Sequence, residues 1–107
     1  MPNSVYLNNK YVNFKDAKIH IEDRGFQFSD SVYEVIKVLN HKLLDIDFHI
    51  RRLKYSTKEL NFNIKINKNL LNEIFITIVK KNKLSNGIIY LQITRGLQPR
   101  EHAYKKN

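Results

Sequence analysis

The sequence predicts an α+β domain, an antiparallel β-sheet with two helices packed against it. Three observations carry that expectation. Short alternating apolar and polar runs fill the chain up to about Ile46, the apolar period then changes to steps of three and four, and one strongly apolar run returns near the end. The predicted order is five strands, two helices and a last strand.

Val5-Tyr6-Leu7 and Lys10-Tyr11-Val12 flank Asn8-Asn9. Asn accepts the left-handed turn conformation more readily than most residues, so this reads as a hairpin. Ala17 to Ile21 alternates, with Ile19 and Ile21 on one face and Lys18 and His20 on the other, and predicts a third strand. Glu22-Asp23-Arg24-Gly25 breaks that pattern, and Gly25 is free to take positive φ. Val32 to Leu39 is the next strand. Lys42 to Ile46 is its hairpin partner across Asn40-His41.

Ile46, Ile50, Leu53, Thr57 and Leu60 then form a helical stripe, with Asp45 or Asp47 placed to cap it. A second helix is expected from Asn67 to about Lys83. It buries Leu71, Ile74, Phe75 and Ile78 and sets Lys80, Lys81 and Lys83 at the negative end of its dipole. Ser85-Asn86-Gly87 turns the chain. Ile88 to Thr94 scarcely alternates, which predicts a strand buried on both faces. A polar loop, Arg95 to His102, follows.

The 107 residues suit one domain with one modest core. The absence of Cys excludes disulfides and thiolate metal sites and points to a reducing compartment. Met1-Pro2-Asn3-Ser4 opens without a basic and apolar leader, and no apolar run approaches the ~20 residues of a membrane span. A cytoplasmic protein with no membrane partner is the expectation. The net charge of +9 comes from 14 Lys and 5 Arg spread along the whole chain. With so much Asn and Ile beside them, these lysines read as compositional bias. A nucleic-acid partner is not expected.

Three polar clusters can carry chemistry: Glu22 to Val35, His49 to Leu53, and Thr94 to His102. Arg100 and His102 lie two apart on a loop that leaves a strand, where binding residues gather. A guanidinium fork beside an imidazole and a phenol would receive a carboxylate. By spacing alone, a solvated polar loop explains them at least as well. His49 and Arg52 are neighbours on one helical face. A helix surface with Arg51, Arg52 and Lys54 could hold a phosphate, but Arg51 and Lys54 read better as an ordinary solvated basic face. Tyr33 by itself reads as a half-packed strand tyrosine. His20 and His41 read as surface or turn residues, and no histidine spacing suggests a metal.

Taken in order, Glu22-Asp23-Arg24-Gly25-Phe26-Gln27-Phe28, Val32-Tyr33-Glu34-Val35-Ile36-Lys37-Val38, His49 with Arg52-Leu53, Thr94-Arg95-Gly96 and Pro99-Arg100-x-His102 resemble the fold type IV, or class IV, aminotransferases over nearly the full chain. The Tyr-Glu-Val run and the Arg-x-His ending are similar to the D-amino-acid branch. The resemblance implies the small N-terminal domain of a homodimeric enzyme that uses pyridoxal 5'-phosphate. Such an enzyme passes an amino group from a D-amino acid such as D-alanine to a 2-oxo acid. It implies that Arg52 binds the cofactor phosphate and that His49 lies beside the cofactor. It also implies that Tyr33, Arg100 and His102 hold the substrate α-carboxylate, with Arg and His reaching across the dimer.

Two departures stand out. Ser29 and Ser31 flank Asp30 where the family usually has Gly, which costs stability if either position needs positive φ. The lysine that attaches the cofactor lies, in that family, in a second domain beyond Arg-x-His, and none of the 14 lysines here has a matching context. Residues 1–107 are therefore expected to be a single domain, inactive alone, with no catalytic residue of its own. A non-catalytic binding module derived from the family is the alternative, and a basic nucleic-acid binder ranks last. A fragment should expose the apolar surface that meets the second domain, whereas a free-standing module should be polar there.

Overall fold

A computed structural model of the chain describes residues 2–106. Strands β1 (Ser4–Leu7) and β2 (Lys10–Asn13) form the first hairpin, and Asn8 and Asn9 both turn at positive φ. A 3-10 turn follows at Phe14–Asp16, then helix α1 (Arg24–Phe28). Strand β3 (Ser31–Leu39) runs centrally between β4 (Lys42–Leu43) and β5 (Gly87–Thr94), antiparallel to both. Helices α2 (Ile46–Glu59) and α3 (Lys68–Lys81) lie between β4 and β5 in sequence.

Alternation on β3 decides the architecture. Val32, Glu34, Ile36 and Val38 are buried, while every second residue between them is exposed. Ile36 and Val38 pack with Ile50 of α2, Phe75 and Val79 of α3, and Ile89 of β5. Val32 joins Leu53 and Phe62 in a second cluster. The helices thus cover one face of the sheet. β1 is tied to the end of α3 through Asn82. Its Oδ1 accepts from the Asn3 and Ser4 amides, and its Nδ2 donates to the Ser4 carbonyl.

Most expected elements are present, and five details differ. Ala17 to Ile21 is not a strand. It joins no strand among the described residues, Ile21 is 72% exposed, and alternation without a partner strand leaves backbone groups no ladder to join. The break at Glu22-Asp23-Arg24-Gly25 is instead the start of α1, with Asp23 accepting from the Gly25 amide as cap. Gly25 is helical and does not take positive φ. What it provides is room, because a Cβ there would overlap Thr94 Cγ2 and lie 2.8 Å from Thr94 Cβ. Asp45 stands at the N-cap of α2, but its side chain caps nothing, and Asp47 pairs with Lys68. Asn67 caps α3 by accepting from the Leu70 amide.

The last difference concerns β5. Ile88 and Tyr90 are 63% and 58% exposed, so only one face of this strand is covered within the chain. Apolar residues on both faces show what a strand can bury, not what lies against it. Tyr33, Val35 and Leu39 of β3 share that open face with Ile88 and Tyr90, and Tyr33 stacks on Tyr90 with ring centroids 5.6 Å apart.

Candidate functional site

Two paired carboxylates organise the charged side chains. Glu34 sits at a core-facing position of β3 and is 3% exposed. A charge there must be paired. α2 supplies the partners one turn apart, because positions 49 and 52 of a helix share a face. Arg52 donates through Nε to Glu34 Oε2 and through Nη2 to Glu34 Oε1, both at 2.8 Å. His49 Nδ1 lies 2.7 Å from Oε1. Hydrogen bonding from Arg52, aided by His49 and by the charges of both, outweighs burial and holds the Glu34 carboxyl below the usual carboxylate range.

The clamp fixes Arg52 without hiding it. Its side chain is 51% exposed, and Nη1 takes no part in the bonds to Glu34. The Phe48 ring lies under the guanidinium at 5.0 Å. Tyr33 is near enough for its phenol to contribute, after the Glu34 bonds and charge, to raising the Arg52 pKa. Arg51 and Lys54 are exposed, as a solvated face requires.

The second carboxylate is Asp30, which is partly buried. Arg24 and Arg95, 4% and 3% exposed, both donate through Nε to its Oδ2, at 2.8 and 2.7 Å. Burial opposes the charge of Asp30, but hydrogen bonds and fields from Arg95 and Arg24 prevail and keep its pKa low. Arg95 also donates to the Leu60 carbonyl and faces the Tyr104 ring at 3.6 Å. Arg24 donates to the carbonyls of Glu101 and His102. Ser29, the C-cap of α1, takes φ 53°, so one of the two serines flanking Asp30 does occupy a glycine conformation, while Ser31 does not.

Of the five expected site residues, the structure joins His49 and Arg52 on one carboxylate. Tyr33 projects from the open sheet face. Arg100 and His102 are exposed on the loop beyond β5, and the His102 ring meets Phe28 edge to face at 5.5 Å. Among the described residues no hydrogen bond or ion pair links Tyr33 to Arg100 or His102. Sequence reasoning missed Glu34, Asp30, Arg24 and Arg95 as organisers. For Glu34 a signal existed: it falls in step with Val32, Ile36 and Val38 on the core face. Asp30 and its arginines meet across separate segments and left no such mark. Among the described residues no cluster of His, Cys, Asp or Glu could hold a metal ion, and no helix is long and apolar enough to cross a membrane.

An antiparallel sheet backed on one face by two helices, with paired charges buried beneath it, defines an α+β domain of an architecture found in aminotransferases. It superimposes on a branched-chain amino acid aminotransferase from Escherichia coli with a TM-score of 0.83 at 26% identity, over 90% of this chain and 34% of that one. Residues 31–107 match the family model for amino-transferase class IV, and the chain belongs to that family. It is 42% identical over 99 residues to a D-alanine aminotransferase of Listeria monocytogenes, covering 92% of this chain and 34% of the relative. It is 37% identical over 100 residues to one of Staphylococcus epidermidis, covering 94% and 36%. The chain spans about a third of the length of the curated relatives it matches.

Proposed function

We propose that this chain forms the N-terminal domain of a D-amino-acid aminotransferase. It would work with pyridoxal 5'-phosphate as a cytoplasmic homodimer and pass an amino group from a D-amino acid such as D-alanine to a 2-oxo acid. The observation that carries this reading is the Glu34 clamp. A buried carboxylate holds Arg52 by two nitrogens and leaves the third out of those bonds on a half-exposed side chain, a donor set suited to a phosphate oxygen. The relatives named D-alanine aminotransferase point the same way.

In this reading Arg52 binds the cofactor phosphate and His49, locked on Glu34, packs beside it. Tyr33 and the Arg100-x-His102 loop, the latter from the partner subunit, hold the substrate α-carboxylate. Arg100 binds it through its fork, and His102 and Tyr33 orient it. When bound, pyridoxal phosphate supplies the electron sink for the exchange of the amino group. A second domain would bring the lysine that moves the proton, and would cover the open face of Tyr33, Val35, Leu39, Ile88 and Tyr90.

The test uses a polypeptide in which this chain is followed by a lysine-bearing second domain, assayed for 2-oxo-acid formation from D-alanine. Arg100→Ala should raise KM for D-alanine about tenfold or more and leave cofactor affinity intact. Arg52→Ala should weaken cofactor affinity instead. An Arg100→Ala enzyme with unaltered KM would overturn the assignment of the carboxylate pair.

A further inference from the structure

We propose that Arg24 positions the Arg100-x-His102 loop, and through it the two side chains that the loop presents. Its consequence for substrate rests on the function proposed above, but the geometry stands apart from it. Arg24 opens a one-and-a-half-turn helix more than seventy positions away in sequence, yet its guanidinium ends inside the loop. Nη1 donates to the Glu101 carbonyl at 2.6 Å and Nη2 to the His102 carbonyl at 3.2 Å, while Nε is held by Asp30 at 2.8 Å.

The three contacts use the whole fork. Asp30 fixes the root of the guanidinium in a buried place, so its two outer nitrogens have one orientation in which to meet the loop. The carbonyls they meet belong to Glu101, between Arg100 and His102, and to His102 itself. The backbone of the motif is thereby gripped from within while both of its side chains remain outside. The Arg24 guanidinium also lies 4.5 Å from the centroid of the Phe28 ring, and that ring meets His102. One side chain thus holds the loop at its backbone and, through Phe28, at an imidazole.

Neighbouring contacts restrict the loop to this place. The Arg24 amide donates to the Gly96 carbonyl, and Asp23 bridges to Leu97 where the loop begins. Gln98 closes it by exchanging two hydrogen bonds with the backbone of Lys105. Two guanidinium groups share the single Asp30 carboxylate, so the cluster keeps one positive charge beneath a loop proposed to receive an anion. Lysine at position 24 would retain the charge but not a planar fork able to reach both carbonyls and Asp30.

The first experiment compares backbone 15N relaxation of the 107-residue chain with that of Arg24→Lys. In the wild type the amides of Glu101, His102 and Ala103 should be as ordered as those of β3 and β5. In Arg24→Lys they should become mobile on the nanosecond scale while β3 and β5 keep their shifts. Loop amides that stay as ordered as in the wild type would overturn the proposal. If Arg24→Lys does not fold, the Arg24 guanidinium protons serve instead. In the wild-type chain the outer guanidinium protons of Arg24 should exchange about tenfold more slowly than those of the exposed Arg51, because two charge-assisted bonds hold them. Equal rates would refute the anchoring. In the two-domain enzyme, Arg24→Lys should raise KM for D-alanine about tenfold with cofactor affinity unchanged. A loosened loop with an unaltered KM would support the anchoring role and overturn the reading of Arg100 and His102 as carboxylate ligands.

Discussion

Replacing Glu34 by Gln keeps the shape of a buried side chain and removes its charge, so the loss measures the clamp and not a cavity. His49 is 14% exposed and Glu34 3%, so the bond between them is shielded from water and contributes about 1.5 kcal/mol, as bonds to charged groups do. The glutamine amide then places at least one N–H toward groups that are themselves donors. An unsatisfied buried donor costs a further ~1–2 kcal/mol. The bonds to Arg52 are left out of this sum because half of that side chain is in water. The expected loss is about 2–4 kcal/mol. Urea unfolding at pH 7, followed by far-ultraviolet circular dichroism, should show the midpoint falling by about 1–2 M. The pH dependence supplies a second check. Because the Glu34 pKa is lowered by folding, the unfolded chain binds more protons below its ordinary value of 4.5. The stabilisation is therefore complete above that pH and is lost as the pH falls through the folded value. Glu34→Gln should remove that part of the acid limb. A loss under ~0.5 kcal/mol, or an unchanged acid limb, would refute the view that a paired buried charge organises α2 against β3.

Three further outcomes follow from local geometry. Ser29→Gly relieves the left-handed C-cap of α1 and should stabilise the chain by about 0.5–1 kcal/mol, raising Tm by roughly 2–8 °C in calorimetry. Gly25→Ala drives a methyl group into Thr94 and should destabilise by about 1–3 kcal/mol, although alanine favours helix. Asp30→Asn leaves two buried guanidinium groups with no counter-charge and should cost about 3–5 kcal/mol. Asp30 is also held low by folding, so its contribution is present above its ordinary 3.8 and fades as acid is added. The wild-type and Asp30→Asn curves should therefore converge toward low pH, and parallel curves would contradict the pairing.

Local features of the sequence determined much of this fold. Paired positive-φ residues at Asn8-Asn9 and Asn40-His41 mark both tight hairpins, because asparagine pays little for that conformation. The stripe on α2 and the Asn67 cap of α3 follow from period and from a side-chain oxygen three residues from the amide it accepts. The order of the polar motifs pointed to the family that residues 31–107 match. Expectations failed where a partner decides the outcome. Ala17 to Ile21 alternates as a strand does but has no neighbouring strand, and β5 carries apolar residues on a face that α2 and α3 do not reach. A pattern records what a segment could bury, and only tertiary structure supplies the surface that buries it. The same holds for the charged groups. Arg52 and His49 were legible as helix neighbours, yet the buried Glu34 that locks them is on another element. Arg24 and Arg95, about seventy positions apart, meet on Asp30 because β3 and β5 pair antiparallel and bring their ends together. Electrostatic pairing depends on distance in space, and for these residues distance along the chain carries none of that information.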